Sequence, residues 1–384
     1  MPENRALEIA RALIRCPSVT PVEAGVLDCL GGFLSPAGFA LHRQVFREAG
    51  TPDVDNLYAT IGAGAPHLVF AGHTDVVPPG DESRWRFPPF SGEIAEGRLW
   101  GRGACDMKGG VAAFAAAALD FVEAGGLKNG TLSFLITNDE EGPSINGTAK
   151  LLEWTDAKGI RFDDCIVGEP TNPKRIGDMV KIGRRGSLSG DILVRGVQGH
   201  SAYPQQADNP IPVLARIVTA LTEAPLDEGT EAFDPTRLVV TSFDVGNPAR
   251  NVIPGEAHAK FNVRFNDTWT PETLSARIRE IVEQADGQNR AELVMQPCNA
   301  VAFRTQRGAF TDLVSDAIRA ETGLTPDLST TGGTSDARFI SRYCRVLEFG
   351  LVGETIHAVD ENTRIEDLDL LTRCYRRILD NYFA

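Results

Sequence analysis

Short apolar runs alternate with longer stretches of helical spacing through the first half of the chain. Asn56–Ile61, His67–Gly72, Thr131–Asn138 and Cys165–Gly168 are short and nearly continuously apolar, which predicts buried strands. Between them, Lys108–Ala124 is rich in alanine and carries Phe114, Leu119 and Phe121, which predicts a long buried helix. Strands alternating with helices imply an α/β layer fold with a largely covered sheet.

A second pattern begins near Gly186. Leu188–Val194 reads as a strand, and Asn209–Glu223 spaces Ile211, Leu214, Ile217, Val218 and Leu221 as a helix. Arg237–Val245 and Glu256–Asn266 read as strands. The second alternates Ala257, Ala259, Phe261, Val263 and Phe265 with His258, Lys260, Asn262 and Arg264. Thr270-Pro271-Glu272 supplies an N-cap, a first-turn proline and an early acid for another helix. A strand near Glu292–Gln296 then completes β-α-β-β-α-β, a ferredoxin-like order. From about Ala300 the α/β pattern returns, with helix Ala309–Glu321, strand Arg345–Phe349 and a closing helix from Ile365. The expected architecture is a discontinuous α/β catalytic domain, residues 1–185 and 300–384, with a smaller domain inserted at 186–299.

Composition narrows the partners. Hydrophobic residues make up 42% of the 384 positions and charged residues 23%, as in globular chains and unlike disordered ones. The formal net charge of −14 argues against a nucleic-acid partner and against a basic membrane-surface protein. No apolar run approaches the roughly 20 residues that span a bilayer, so no membrane partner is expected. The opening MPENRALEIARALIRC lacks the apolar centre of a signal peptide, and the seven cysteines form no CxxC pair. The expectation is a cytoplasmic protein with reduced thiols.

Polar clusters stand where the predicted strands end. They are Gly72-His73-Thr74-Asp75, Asn138-Asp139-Glu140-Glu141, Gly168-Glu169 and the stretch from Phe349 to His357; Cys105-Asp106 precedes the alanine-rich helix. In open α/β sheets, sites form beyond the carboxyl ends of the strands. Imidazoles and carboxylates suit hard or borderline divalent cations, and two such ions about 3.5–4 Å apart share a carboxylate. One assignment puts His73 and Glu169 on one ion, Glu141 and His357 on the other, and Asp106 between them. Three carboxylates and one hydroxide would then balance two dications. Asp75, two residues beyond His73, points the same way in extended backbone and can accept the other ring N–H. Glu140 diverges from Glu141 and is placed to act as general base. Taken singly, each feature also fits a bland role: a hydrogen-bonded loop histidine, a solvated acidic loop, or an acid at a helix N-terminus. Cys105 reads as a packed residue, and His42, His67 and His258 as structural or surface groups.

In GHTDVVP (Gly72–Pro78), GRGACDMKGG (Gly101–Gly110), NDEEG (Asn138–Gly142) and VGEPT around Gly168, the sequence resembles the zinc-dependent aminoacylase and carboxypeptidase-like metallohydrolases with co-catalytic metals. Further segments resemble the branch of that superfamily acting on succinylated diaminopimelate. These are KIGRRGSLSG (Lys181–Gly190), GVQGHSAYP (Gly196–Pro204), NVIPGE (Asn251–Glu256), TGGTSDARF (Thr331–Phe339) and FGLVGETIH (Phe349–His357). The resemblance implies two zinc ions, with cobalt or manganese as substitutes, held by His73, Asp106, Glu141, Glu169 and His357, with Asp106 bridging. It implies that Asp75 orients a ligand, that Glu140 is the acid/base, and that the Asp106–Met107 peptide is cis. It further implies a homodimer through the inserted domain, with His200 reaching the other subunit's site.

The implied reaction is hydrolysis of N-succinyl-L,L-2,6-diaminopimelate to succinate and L,L-2,6-diaminopimelate, within bacterial lysine and cell-wall biosynthesis. Another deacylase or peptidase of the superfamily, such as an acetylornithine deacetylase, would share the metal residues. A small dicarboxylate amide substrate calls for local cations in an acidic protein, and Arg184, Arg185 and Arg264 are candidates because guanidinium grips carboxylate in a fork. The motifs add Asn251, Gly333 and Thr334 as contacts.

Overall fold

The computed structural model describes residues 4–384. The chain divides into two compact units. The larger runs to Gly183 and resumes over Arg304–Ser329 and Ser335–Ala384; the smaller takes Arg184–Phe303 and a short return, Thr330–Thr334.

The larger unit is built on an eight-stranded sheet. Its strands are β1 (Ala40–Phe46), β2 (Val54–Ala63), β3 (His67–His73), β4 (Gly130–Thr137), β5 (Asp164–Val167), β6 (Met179–Lys181), β7 (Asp327–Ser329) and β8 (Arg345–Glu348). Their spatial order is β1-β2-β4-β3-β5-β8-β6-β7. The central strands β4, β3, β5 and β8 run parallel, and every residue of β3, β4 and β5 is buried, as continuous apolar runs require of a sheet covered on both faces. Register sets their ends level: His73 lies opposite Thr137, Ala71 opposite Val167, and Val167 opposite Glu348. The polar segments that follow these strands therefore leave the sheet at one edge.

Helix α1 (Arg5–Ile14), α2 (Lys108–Glu123), α3 (Thr148–Ala157), α4 (Ala309–Thr322) and α5 (Ile365–Tyr382) belong to this unit. Nearly all of α2 is buried, so its alanines act as close-packing surface. Phe114 on α2 stacks on Phe70 of β3 with ring centroids 4.2 Å apart, and Tyr375 of α5 meets Phe114 edge-on at 5.2 Å. Fully burying one such ring is worth about 1.5–3 kcal/mol. A Cβ on Gly110 would stand 2.4 Å from the carbonyl oxygen of Gly168, so glycine lets the start of α2 approach the backbone leading to Glu169.

In the smaller unit, strands Gly186–Arg195, Arg237–Asp244, Glu256–Phe265 and Ala291–Met295 form one antiparallel sheet with helices Ile211–Glu223 and Pro271–Asp286. The element order is β-α-β-β-α-β. Ala257, Ala259, Phe261, Val263 and Phe265 are buried together with Leu214, Ile217, Leu274 and Ile278 from the helices. Thr270 caps the second helix by accepting the N–H of Thr273 at 3.2 Å. A separate ribbon pairs Gly199–His200 with Val252–Ile253.

The periodicity did not announce β1. Its positions are mostly exposed on both faces, and it exists because the edge of β2 needs a hydrogen-bonding partner. Among the described residues, no helix is long and apolar enough to cross a membrane.

Candidate metal centre

The level strand ends of the larger unit bring the polar segments together. His73 closes β3, Glu140 and Glu141 follow β4, Glu169 follows β5, and Asp106 ends the loop leading into α2. The N–H of Thr74 donates to the carbonyl of Thr137 at 2.9 Å, carrying the β3–β4 pairing one step into these loops. His357 lies in the segment after β8, with a left-handed φ of 59°.

Asp106 sits between the two histidines. Its Oδ1 is 3.3 Å from Nε2 of His73, and its Oδ2 is 3.4 Å from Nε2 of His357. Glu141 Oε1 lies 2.8 Å from Nε2 of His357, and Glu169 Oε1 lies 3.9 Å from Nε2 of His73. Potential ligand atoms of His73, Asp106 and Glu141 fall within 4.8 Å of one another, as do those of His73, Glu140 and Glu169. The donor set is imidazole and carboxylate without thiolate, which suits borderline divalent cations. A carboxylate whose two oxygens face separate imidazoles is a natural shared ligand for two ions. Cys105 is buried, and its Sγ faces Thr355 Oγ1 at 3.7 Å.

The electrostatics describe a site short of positive charge. Burial pushes Glu140 up to about 8, with Asp336, Glu141 and Asp106 adding repulsion. Burial likewise raises Glu169 well above the usual carboxylate range, reinforced by Asp106 and Glu140. His357 is pushed up to about 10 by its bonds to Asp106 and Glu141. For His73, burial works against protonation, but Asp106, Glu169 and Asp75 outweigh it and raise the group well above its ordinary value. Divalent cations held among these donors would favour the deprotonated forms of these groups.

Asp75 departs from expectation. Nδ1 of His73 donates to the backbone carbonyl of Asp75 at 2.9 Å, whereas the nearer carboxylate oxygen is 3.6 Å away. The carboxylate instead accepts the backbone N–H groups of Glu140 at 3.3 Å and Glu141 at 3.0 Å. A fully buried carboxylate takes the donors that nothing else satisfies, and the turn after β4 presents two of them.

Three positions in this unit take roles that the sequence did not assign. Asp139 Oδ2 accepts the N–H groups of Ile145 and Asn146, both at 2.8 Å, so the first acid of the triplet shapes the loop. Lys108 is fully buried and donates from Nζ to the carbonyl of Cys16 at 2.8 Å. Glu361 is also fully buried and bonds the loop that carries Asp106. No residue spacing marks the roles of Lys108 and Glu361, because their partners lie far away in the chain.

The expected substrate contacts fall in the smaller unit. His200 pairs with Val252 on the ribbon and Asn251 directly precedes that strand: both His200 and Asn251 are exposed, and Asn251's carbonyl accepts the N–H of Ser201 at 2.9 Å. Arg184 is buried, and its Nη1 lies 2.6 Å from where a Cβ on Gly332 would be, which brings the Gly333–Thr334 segment alongside it. Arg264 sits opposite Ser187 in the sheet, and burial together with nearby Arg185 lowers its pKa.

The model of peptidase family M20/M25/M40 matches residues 69–381. A succinyl-diaminopimelate desuccinylase of Methylocella silvestris is 60% identical to this chain over 382 residues, covering 99% of it and 98% of the relative. One from Methylorubrum populi is 59% identical with both chains covered in full. Among solved structures, an M20 family metallo-carboxypeptidase from Sulfolobus solfataricus is similar with a TM-score of 0.80 at 20% identity, covering 100% of both chains. A dinuclear metal binding peptidase of the M20 family from Bacillus subtilis is similar with a TM-score of 0.71 at 16% identity, covering 98% of this chain and 97% of that one.

Proposed function

The chain belongs to peptidase family M20/M25/M40, and from that premise we propose that it hydrolyses N-succinyl-L,L-2,6-diaminopimelate to succinate and L,L-2,6-diaminopimelate. The observation that carries the reading is near-60% identity, along essentially the whole chain, to proteins named for that reaction. In this proposal His73 and Glu169 would hold one zinc ion and Glu141 and His357 a second, with Asp106 available to both; cobalt and manganese would suit the same donors. When bound, such ions acidify a water and polarise an amide carbonyl.

The chain's own residues supply the rest. The carbonyl of Asp75 keeps the ring proton of His73 on Nδ1, which leaves Nε2 facing Asp106 and Glu169 as a lone-pair donor. Glu140, whose carboxylate lies beside His73 and Glu169, takes a proton from the attacking water and returns it to the departing amine nitrogen. The exchange balances: water adds across the amide C–N bond, the carbonyl carbon gains oxygen, and the nitrogen gains hydrogen.

Arg184 and Arg264 are proposed to grip substrate carboxylates, with Asn251, Gly333 and Thr334 as further contacts and His200 donating to the developing oxyanion. The reading includes a cytoplasmic homodimer formed through the smaller unit. Exposed Val239 and Val294, on the two outer strands of its sheet, are in keeping with a buried partner face.

The test is succinate release from N-succinyl-L,L-diaminopimelate by metal-stripped protein, followed through stepwise addition of zinc. Activity that saturates at about two ions per chain supports the reading. Cleavage of N-acetylornithine or dipeptides in its place, with no succinate released, discards the substrate.

A further inference from the structure

Each oxygen of the fully buried Glu361 carboxylate accepts two N–H donors. Oε1 takes the backbone N–H of Cys105 at 3.0 Å and that of Asp106 at 3.1 Å. Oε2 takes the backbone N–H of Gly103 at 3.0 Å and Nη1 of Arg102 at 2.9 Å. The main chain of Glu361 joins in, its carbonyl accepting the N–H of Gly101 at 2.9 Å. Arg102, itself buried, donates from Nη1 to the carbonyl of Ala358 at 3.2 Å, and its guanidinium lies over the ring of Trp85 at 5.1 Å.

We infer that Arg102 and Glu361 are positioning residues that set the placement of Asp106 against His357, and through it the affinity of the centre for divalent metal. This rests on the metal reading proposed above. The contacts concentrate beside the two ligands: the amide of Asp106 itself, and the carbonyl of Ala358 next to His357. His357 benefits from such support, because it is exposed and its backbone occupies the left-handed region, uncommon for residues other than glycine. A loop whose successive N–H groups converge on one anion is a rigid cradle, since moving it breaks several charge-assisted bonds together. Glu361 stands four residues after His357, so the carboxylate that cradles one loop anchors the other.

The experiment titrates zinc into metal-stripped wild-type, Glu361→Gln and Arg102→Lys proteins, in competition with a chromophoric chelator. Thermal melts and kinetics of the reloaded proteins accompany the titration. Glu361→Gln turns one acceptor oxygen into a donor facing N–H groups, and it should weaken zinc about 10–100-fold. At saturating zinc, kcat should fall while KM stays within about twofold. Arg102→Lys keeps the charge and loses the fork, so it should weaken zinc by a smaller factor. If Glu361→Gln does not fold, Arg102→Lys decides the matter. A folded variant that loses thermal stability yet binds zinc as wild type does would make the pair purely structural and overturn the inference. Absence of zinc binding by wild type would instead remove the metal reading on which it rests.

Discussion

The carboxylate of Asp75 holds the backbone N–H of Glu141 at 3.0 Å. Its backbone carbonyl holds Nδ1 of His73 at 2.9 Å, so one residue orients an imidazole with its main chain and the Glu140–Glu141 turn with its side chain. Asp75→Asn leaves the carbonyl in place and removes the charge that the turn's N–H groups face. Zinc affinity should therefore change little, while kcat falls on the order of tenfold or more as Glu140 is displaced. Parallel zinc titration and kinetics check this; a zinc affinity lost in step with kcat would place the carboxylate's role on His73 after all.

Glu140 and the histidines should separate cleanly. Glu140→Gln is expected to keep both metal sites and to lower kcat by roughly 10²–10⁴-fold, the range for a missing general base. His73→Ala and His357→Ala should lose metal as well as turnover. Full metal content by atomic absorption in both histidine variants would contradict the ligand assignment.

His67 offers a pH test away from the metal centre. It is buried at the start of β3, with Nδ1 donating to the carbonyl of Arg161 and Nε2 2.8 Å from Ser133 Oγ, and burial lowers its pKa. The unfolded chain, with a histidine pKa of about 6.5, then binds the proton more readily than the folded one. The associated stability is whole above that value and is lost as pH falls from there through the lower folded pKa. Urea unfolding at about pH 7.5 and about pH 5.5 should show a steeper loss for wild type than for His67→Gln. Equal losses would remove His67 as a cause.

The proposed role of His200 can be tested by mixing. If it serves the other subunit's site, His200→Ala and Glu140→Ala proteins, each inactive alone, regain activity on subunit exchange. A random equimolar mixture should reach about a quarter of wild-type activity, because half the dimers carry one intact site of two. No recovery, with exchange verified by native mass spectrometry, would rule the arrangement out.

Much of this was legible in one dimension. Continuous apolar runs of strand length located β3, β4 and β5, and the polar residues ending each run pointed to one sheet edge, where His73, Glu140, Glu141 and Glu169 stand. The alternation in Glu256–Phe265 and the cap at Thr270 located elements of the smaller unit just as directly. Such patterns are local: they record which face of an element meets water, and a run of a dozen residues suffices to show it.

The choice of partner for a buried polar group is not local. That the two oxygens of Asp106 face different histidines depends on where the chain returns some 250 residues later. The Asp75 carboxylate could be assigned from spacing to the neighbouring ring, yet the folded chain presents it with two backbone N–H groups that nothing else satisfies. Glu361 carries no mark in the sequence, because its meaning lies in four donors supplied from Arg102–Asp106. By itself the sequence determined the central elements, their order and the edge where chemistry collects, since these follow from burial periodicity. Only the tertiary structure decided which donor meets which acceptor there, because a buried charge must find its partners in space, wherever along the chain they lie.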